Sequence, residues 1–97
     1  MKKLVRDLIP ALIAENGRRC SFYQAGEEEF LSRLQEKLKE EVEEFIASGK
    51  IEELADIVEV LKAFASIYQF SEEEIAQVRL QKMKTNGAFL KRYILEY

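Results

Sequence analysis

Apolar residues recur at helical spacing through most of this chain, and the breaks in that spacing mark out four helices. Phe30, Leu31, Leu34, Leu38, Val42, Phe45 and Ile46 follow one another every three or four residues. They predict a helix that starts at Glu27-Glu28-Glu29, where acids favour an N-terminus, and runs to about Ser48. Ala47-Ser48-Gly49-Lys50 then suits a tight turn between antiparallel helices. The next helix is predicted from about Ile51 to Tyr68. Leu54, Ile57, Val58, Leu61, Ala65 and Tyr68 form one apolar stripe on it, and Val60, Ala63, Phe64 and Ile67 a second. A helix apolar nearly all round is buried, within its own chain or against another subunit. Ser71 with Glu74 is a capping box that opens a further helix at Glu72, with Ile75, Val78 and Met83 as its expected core side and its end near Asn86-Gly87. Ahead of all these, Asp7 is the expected N-cap of a first helix that tolerates Pro10 in its first turn and stops at Asn16-Gly17. Residues 18–26 read as a loop or short extended piece. The mixed tail, residues 88–97, is expected to pair with residues 20–24 as a small ribbon.

The polar positions are as informative as the apolar ones. Glu41 and Glu44 are three apart, as are Glu53 and Asp56, so each pair shares a helix face. Folding the hairpin about its turn sets Glu44 level with Glu53 and Glu41 level with Asp56, the two levels about 4.5 Å apart. Four carboxylates then point into one small volume, where they cannot all stay ionised without a cation. Hard divalent ions such as Mg²⁺ take oxygen ligands of this kind. A run of glutamates on a helix is more commonly a solvated face. Three details weigh against that here. Glu41 lies within the apolar row 34, 38, 41, 45. Glu53 and Asp56 begin the row 53, 56, 60, 63, 67, whose other members are apolar. Asp56 has Glu52, Glu53, Glu59 and Val60 at its helical neighbour positions and no Lys or Arg, whereas Lys37 stands four residues before Glu41. A carboxylate on a core-facing row is costly unless it is paired or metal-bound.

Composition narrows the chemistry. At 97 residues the chain reads as one domain, 1–97, with a modest core of the kind that oligomerisation often completes. No run of 18 apolar residues is present, and Met1-Lys2-Lys3-Leu4-Val5-Arg6-Asp7 breaks into charge too soon for a signal peptide, so a cytoplasmic protein without a membrane partner is expected. A net charge of −3 leaves no electrostatic footprint for nucleic acid. Cys20 is the sole cysteine, a bystander in a loop, and no histidine is present, which removes His-based triads and the usual zinc sites. Catalysis must come from carboxylates, Lys, Arg, Tyr or a bound metal.

Glu40-Glu41-x-x-Glu44 followed by Glu53-x-x-Asp56 resembles the EExxE…ExxD signature of the all-α nucleoside triphosphate pyrophosphohydrolases, the MazG-like and phosphoribosyl-ATP pyrophosphohydrolase group. Lys3-Leu4-Val5-Arg6-Asp7 with Ile9-Pro10 is similar to the KLVRDKIP opening of a small single-domain branch. The stretch from Glu52 to Val60, EELADIVEV, is similar to that branch's EELADxxEV helix, and Gly87-Ala88-Phe89 sits where it often has Gly-Gly-Phe. Leu8 stands where the branch commonly has Lys, Asn86 and Ala88 replace an Arg and a Gly, and the spacing from Glu44 to Asp56 is shorter than in most MazG-like enzymes.

The resemblance implies a four-helix MazG-like bundle around a central antiparallel hairpin, completed by oligomerisation into a homodimer or homotetramer. It implies Mg²⁺-dependent hydrolysis of a nucleoside triphosphate, or a related nucleotide, to the monophosphate and pyrophosphate, with Mn²⁺ as an alternative ion, in a house-cleaning or nucleotide-pool role. Glu41, Glu44, Glu53 and Asp56 are the expected metal ligands. Glu40, Glu41 and Glu44 are the expected catalytic set, one of them orienting or deprotonating the attacking water. Lys82 and Asn86 share a face of the last helix and, with Lys84 and the more distant Arg6 and Arg92, are the candidate phosphate contacts. Phe22, Tyr23, Phe89 and Tyr93 are more readily core or interface residues than base-stacking ones. The competing expectation is a non-catalytic helical oligomerisation or nucleotide-binding regulatory module.

Overall fold

The computed structural model describes residues 2–97, and all regular structure among them is helical. Helix α1 spans Ile9–Glu15, α2 Glu27–Ser48, α3 Ile51–Ile67 and α4 Glu72–Asn86. The chain divides into two compact units, Met1–Phe64 and Ala65–Tyr97. The first holds α1, α2 and most of α3. The second holds the end of α3, α4 and the tail.

Each boundary has a local cause. The expected cap at Asp7 is not used: Leu8 is the N-cap of α1 and no side chain caps it. The backbone turns instead, with the Ile9 N–H donating to the Arg6 carbonyl at 3.1 Å, and Pro10 has no N–H to satisfy. At the other end of the helix Gly17 takes a left-handed φ of 75°. Between α2 and α3 the chain reverses in two residues. Gly49 adopts φ 65° and its N–H returns to the Phe45 carbonyl at 2.8 Å, while Ser48 Oγ accepts from the Lys50 N–H at 3.2 Å. A side chain at Gly49 would meet no neighbour, so its requirement is conformational.

Helix α3 stops one residue short of Tyr68. Gln69 takes φ 60°, its N–H donates to the Ser66 carbonyl at 3.3 Å, and the Phe70 N–H reaches back to the Ala65 carbonyl at 2.8 Å. This is a Schellman ending with a glutamine where glycine is usual. The stop was hard to see in the sequence for that reason. Helix α4 begins as its sequence predicts: Ser71 Oγ accepts from the Glu74 N–H and Glu74 Oε1 accepts from the Ser71 N–H, each at 3.0 Å.

Helices α2 and α3 pack against each other through the row that holds Leu34 on one and Val60 on the other, both buried. The other stripe of α3 stays half in solvent, at Leu54, Val58 and Leu61. The expected core side of α4 is absent. Ile75, Val78 and Met83 are all exposed, because Leu80 lies about 140° around the helix from Ile75 and no face collects the apolar residues. The expected ribbon is absent too. Residues 18–26 and 87–97 form no strand, and Arg92, at φ 58°, interrupts any extended run in the tail. Phe22, Tyr23, Phe89 and Tyr93 are exposed rather than in a core. Cys20 is exposed in a loop, as its surroundings predict.

Candidate metal centre

Glu41 is the feature that sets this site apart. It lies on the packed row of α2, about two turns beyond Leu34, and only 5% of its surface is exposed. Lys37, one turn earlier on the same helix, forms an ion pair with Oε1 at 3.1 Å. Oε2 is buried with no hydrogen-bond partner. Such an atom carries the full desolvation cost of a carboxylate oxygen unless something positive meets it.

Two further carboxylates stand beside it. Oxygen atoms of Glu41, Glu53 and Asp56 all lie within 4.8 Å of one another, drawn together from α2 and α3 by the two-residue turn. Glu53 and Asp56 are half-buried. Three acidic side chains from two rigid helices, one of them buried with an orphan oxygen, form an oxygen-rich donor set suited to a hard divalent cation, with water able to complete its coordination. The level pairing of Glu41 with Asp56 is thus realised. Glu44 is exposed and is not one of the three. Three residues along a helix turn a side chain about 60° away from its predecessor, enough at the edge of a two-helix contact to face water. Glu40 is half-buried, with Lys3 Nζ 3.9 Å from its Oε1.

A groove of about 760 Å³ opens beside the carboxylates. Asp7, Glu41, Asp56 and Glu59 contribute acid to its lining, Lys3, Arg6 and Lys37 contribute base, and Leu34 and Val60 are among its apolar residues. The basic residues include one that helical spacing alone does not reveal. Asp56 has no Lys or Arg near it in sequence, yet Arg6 Nη2 donates to its Oδ1 at 2.6 Å across 50 residues. Arg6, expected to contact phosphate, is therefore at the carboxylates themselves. No periodicity signals this, because Arg6 lies in a non-helical segment.

That segment is tied down elsewhere by polar contacts. Arg33 Nη1 donates to the Lys2 carbonyl at 3.4 Å, and the Lys2 ammonium sits 5.2 Å from the centre of the Tyr23 ring. The Tyr23 hydroxyl donates to Glu29 at 2.7 Å. This bond, opposed by partial burial and helped by Arg33, holds the Glu29 carboxyl below its ordinary value. The other expected phosphate contacts, Lys82, Lys84 and Asn86, lie on α4 in the second unit and are exposed, and Arg92 is exposed in the tail.

No family model, curated protein or solved structure matches this chain. No helix among the described residues is long and apolar enough to cross a membrane.

Proposed function

We propose that this protein is a Mg²⁺-dependent nucleotide pyrophosphohydrolase of the MazG-like kind, cleaving a nucleoside triphosphate or related nucleotide to the monophosphate and pyrophosphate. The observation that carries this reading is the buried Glu41 carboxylate, with an oxygen that has no protein partner, set among Glu53 and Asp56 beside a groove large enough for a nucleotide. The resemblance of EExxE…ExxD to the pyrophosphohydrolase signature supplies the reaction.

Glu41, Glu53 and Asp56 hold the cation in this reading, and Glu44 is the further carboxylate near enough in sequence to join them. A bound divalent ion polarises phosphate oxygens, acidifies water and offsets the charge of the leaving pyrophosphate. The chain's own residues do the rest. Glu40 or Glu44 accepts a proton from water as its oxygen attacks the α-phosphorus. The bond from that phosphorus to the bridging oxygen breaks, and pyrophosphate departs with the electron pair. Arg6, Lys3 and Lys37, which line the groove, offset the phosphate charge. The groove's apolar residues exclude water from the rest of the ligand.

The active form in this reading is a homodimer or homotetramer. The chain exposes 9309 Å². That surface includes many large apolar side chains, among them Leu54, Val58 and Leu61 on α3 and Phe89, Leu90 and Ile94 in the tail. The same exposure favours the second reading, a helical oligomerisation module without turnover.

Pyrophosphate release from a panel of ordinary and modified nucleoside triphosphates, with Mg²⁺ and with EDTA, separates the two. The enzyme reading expects Mg²⁺-dependent release that Asp56→Asn abolishes. Release that survives Asp56→Asn would overturn the assignment of the site, and an oligomer that releases nothing supports the module.

A further inference from the structure

We propose that Arg6 and a divalent cation are alternative partners of Asp56, so that the Arg6 side chain is latched onto α3 without the cation and swings off Asp56 when it binds. The inference rests on the reading of Glu41, Glu53 and Asp56 as a cation site and concerns how that site is regulated.

The two basic residues that touch the acidic cluster are held differently. Lys37 is fixed on α2, one turn from Glu41, and is mostly buried. Arg6 comes from a segment without regular structure, its side chain is more than half exposed, and it reaches α3 through a single 2.6 Å contact to Asp56 Oδ1. The carboxylate that Arg6 grips is one of the three that converge. A guanidinium and a divalent cation on one carboxylate repel each other at close range. Arg6 is the group that can move, because an exposed ion pair is weakly held. Its displacement leaves Arg6 among the groove-lining residues, where its planar fork suits a phosphate oxygen. The latch therefore links loading of the carboxylates to the arrival of positive charge in the groove.

Binding of Mn²⁺ alone, followed by the paramagnetic resonance of the unbound ion, tests this on the whole chain with Arg6→Gln and Asp56→Asn. The NMR signals of the Arg6 guanidinium with and without Mg²⁺ give a second readout. Arg6→Gln is expected to bind Mn²⁺ about two- to fivefold more tightly than the unaltered protein, since it removes a competitor of surface ion-pair strength. Those signals are expected to move toward the values of a free arginine when Mg²⁺ is added to the unaltered protein. Equal or weaker binding by Arg6→Gln, or Arg6 guanidinium signals that Mg²⁺ leaves unchanged, overturns the latch while the site stands, provided Asp56→Asn loses affinity. If Asp56→Asn binds as the unaltered protein does, or neither binds, the cation site itself fails and the latch fails with it.

Discussion

Lys37 Nζ meets Glu41 Oε1 at 3.1 Å and leaves Oε2 of the same buried carboxylate without a partner. The pair is half compensated: one basic side chain serves an acid that has room for more. Removing the base should cost more than removing the acid. Lys37→Met leaves a buried charge with nothing to answer it and is expected to destabilise the metal-free protein by about 3 kcal/mol. Glu41→Gln keeps the shape, removes the charge and is expected to change stability by less than about 1 kcal/mol. Urea unfolding of both variants checks the order. Mg²⁺ at a hundredfold excess over its Kd should restore about 2.7 kcal/mol to Lys37→Met, and much less to Glu41→Gln.

Glu44 and Glu41 are both acids of the same signature, but only Glu41 stands in the three-carboxylate group. Mn²⁺ titration should show Glu41→Gln weakening the cation by tenfold or more, on the order of one lost charged ligand. Glu44→Gln should weaken it by less. If Glu44→Gln also lowers turnover without altering Mn²⁺ affinity, its place is at the attacking water.

The start of α4 should depend on pH in a known direction. Backbone and side-chain hydrogen bonding within the Ser71–Glu74 box holds the Glu74 carboxyl below its ordinary value of 4.5. A carboxyl lowered on folding stabilises the folded form fully above its unfolded value, and that contribution is lost as pH falls through the folded value. Amide exchange at residues 72–75 should therefore accelerate in the native protein as pH drops below about 4.5, after correction for intrinsic rates. Glu74→Gln should lack that acid-induced step. An identical pH profile in the two proteins would remove the box from the account of α4.

Association should be visible in solution. The half-exposed stripe of Leu54, Val58 and Leu61 and the exposed tail predict a species larger than one chain by light scattering at micromolar concentration. They also predict a Tm that rises with protein concentration. Val58→Asp places a charge in the middle of the stripe and should shift the protein toward monomer. A monomer at every concentration, with Tm constant, would dispose of the oligomer.

Local signals in the sequence reach as far as local forces do. The capping box at Ser71, the left-handed Gly49 and the glutamates at the head of α2 each act within one turn, so the bounds of α2 and α4 could be read from residue types alone. The meeting of Glu41 with Asp56 was also legible, because a two-residue turn leaves little freedom in the register of the two helices. What escaped was whatever depends on distant chain. Arg6 reaches Asp56 over 50 intervening steps, and no spacing rule announces it. The Schellman ending at Gln69 escaped because a left-handed glutamine looks like any other. On α4, Ile75, Val78 and Met83 resembled a core side, yet Leu80 shows that the apolar residues are scattered. Spacing supplies a face only when the whole set of apolar positions agrees.

The turn at Gly49-Lys50 joins two helices and also acts as a ruler. Its two-residue span sets which side chains of α2 and α3 stand level, because so short a reversal leaves little freedom in register. One inserted glycine would loosen that register while leaving every carboxylate and the net charge in place. A chain altered in that single way would keep the same chemical inventory without the fixed meeting of Glu41 and Asp56, so loop length, as much as any acid, decides whether these carboxylates converge.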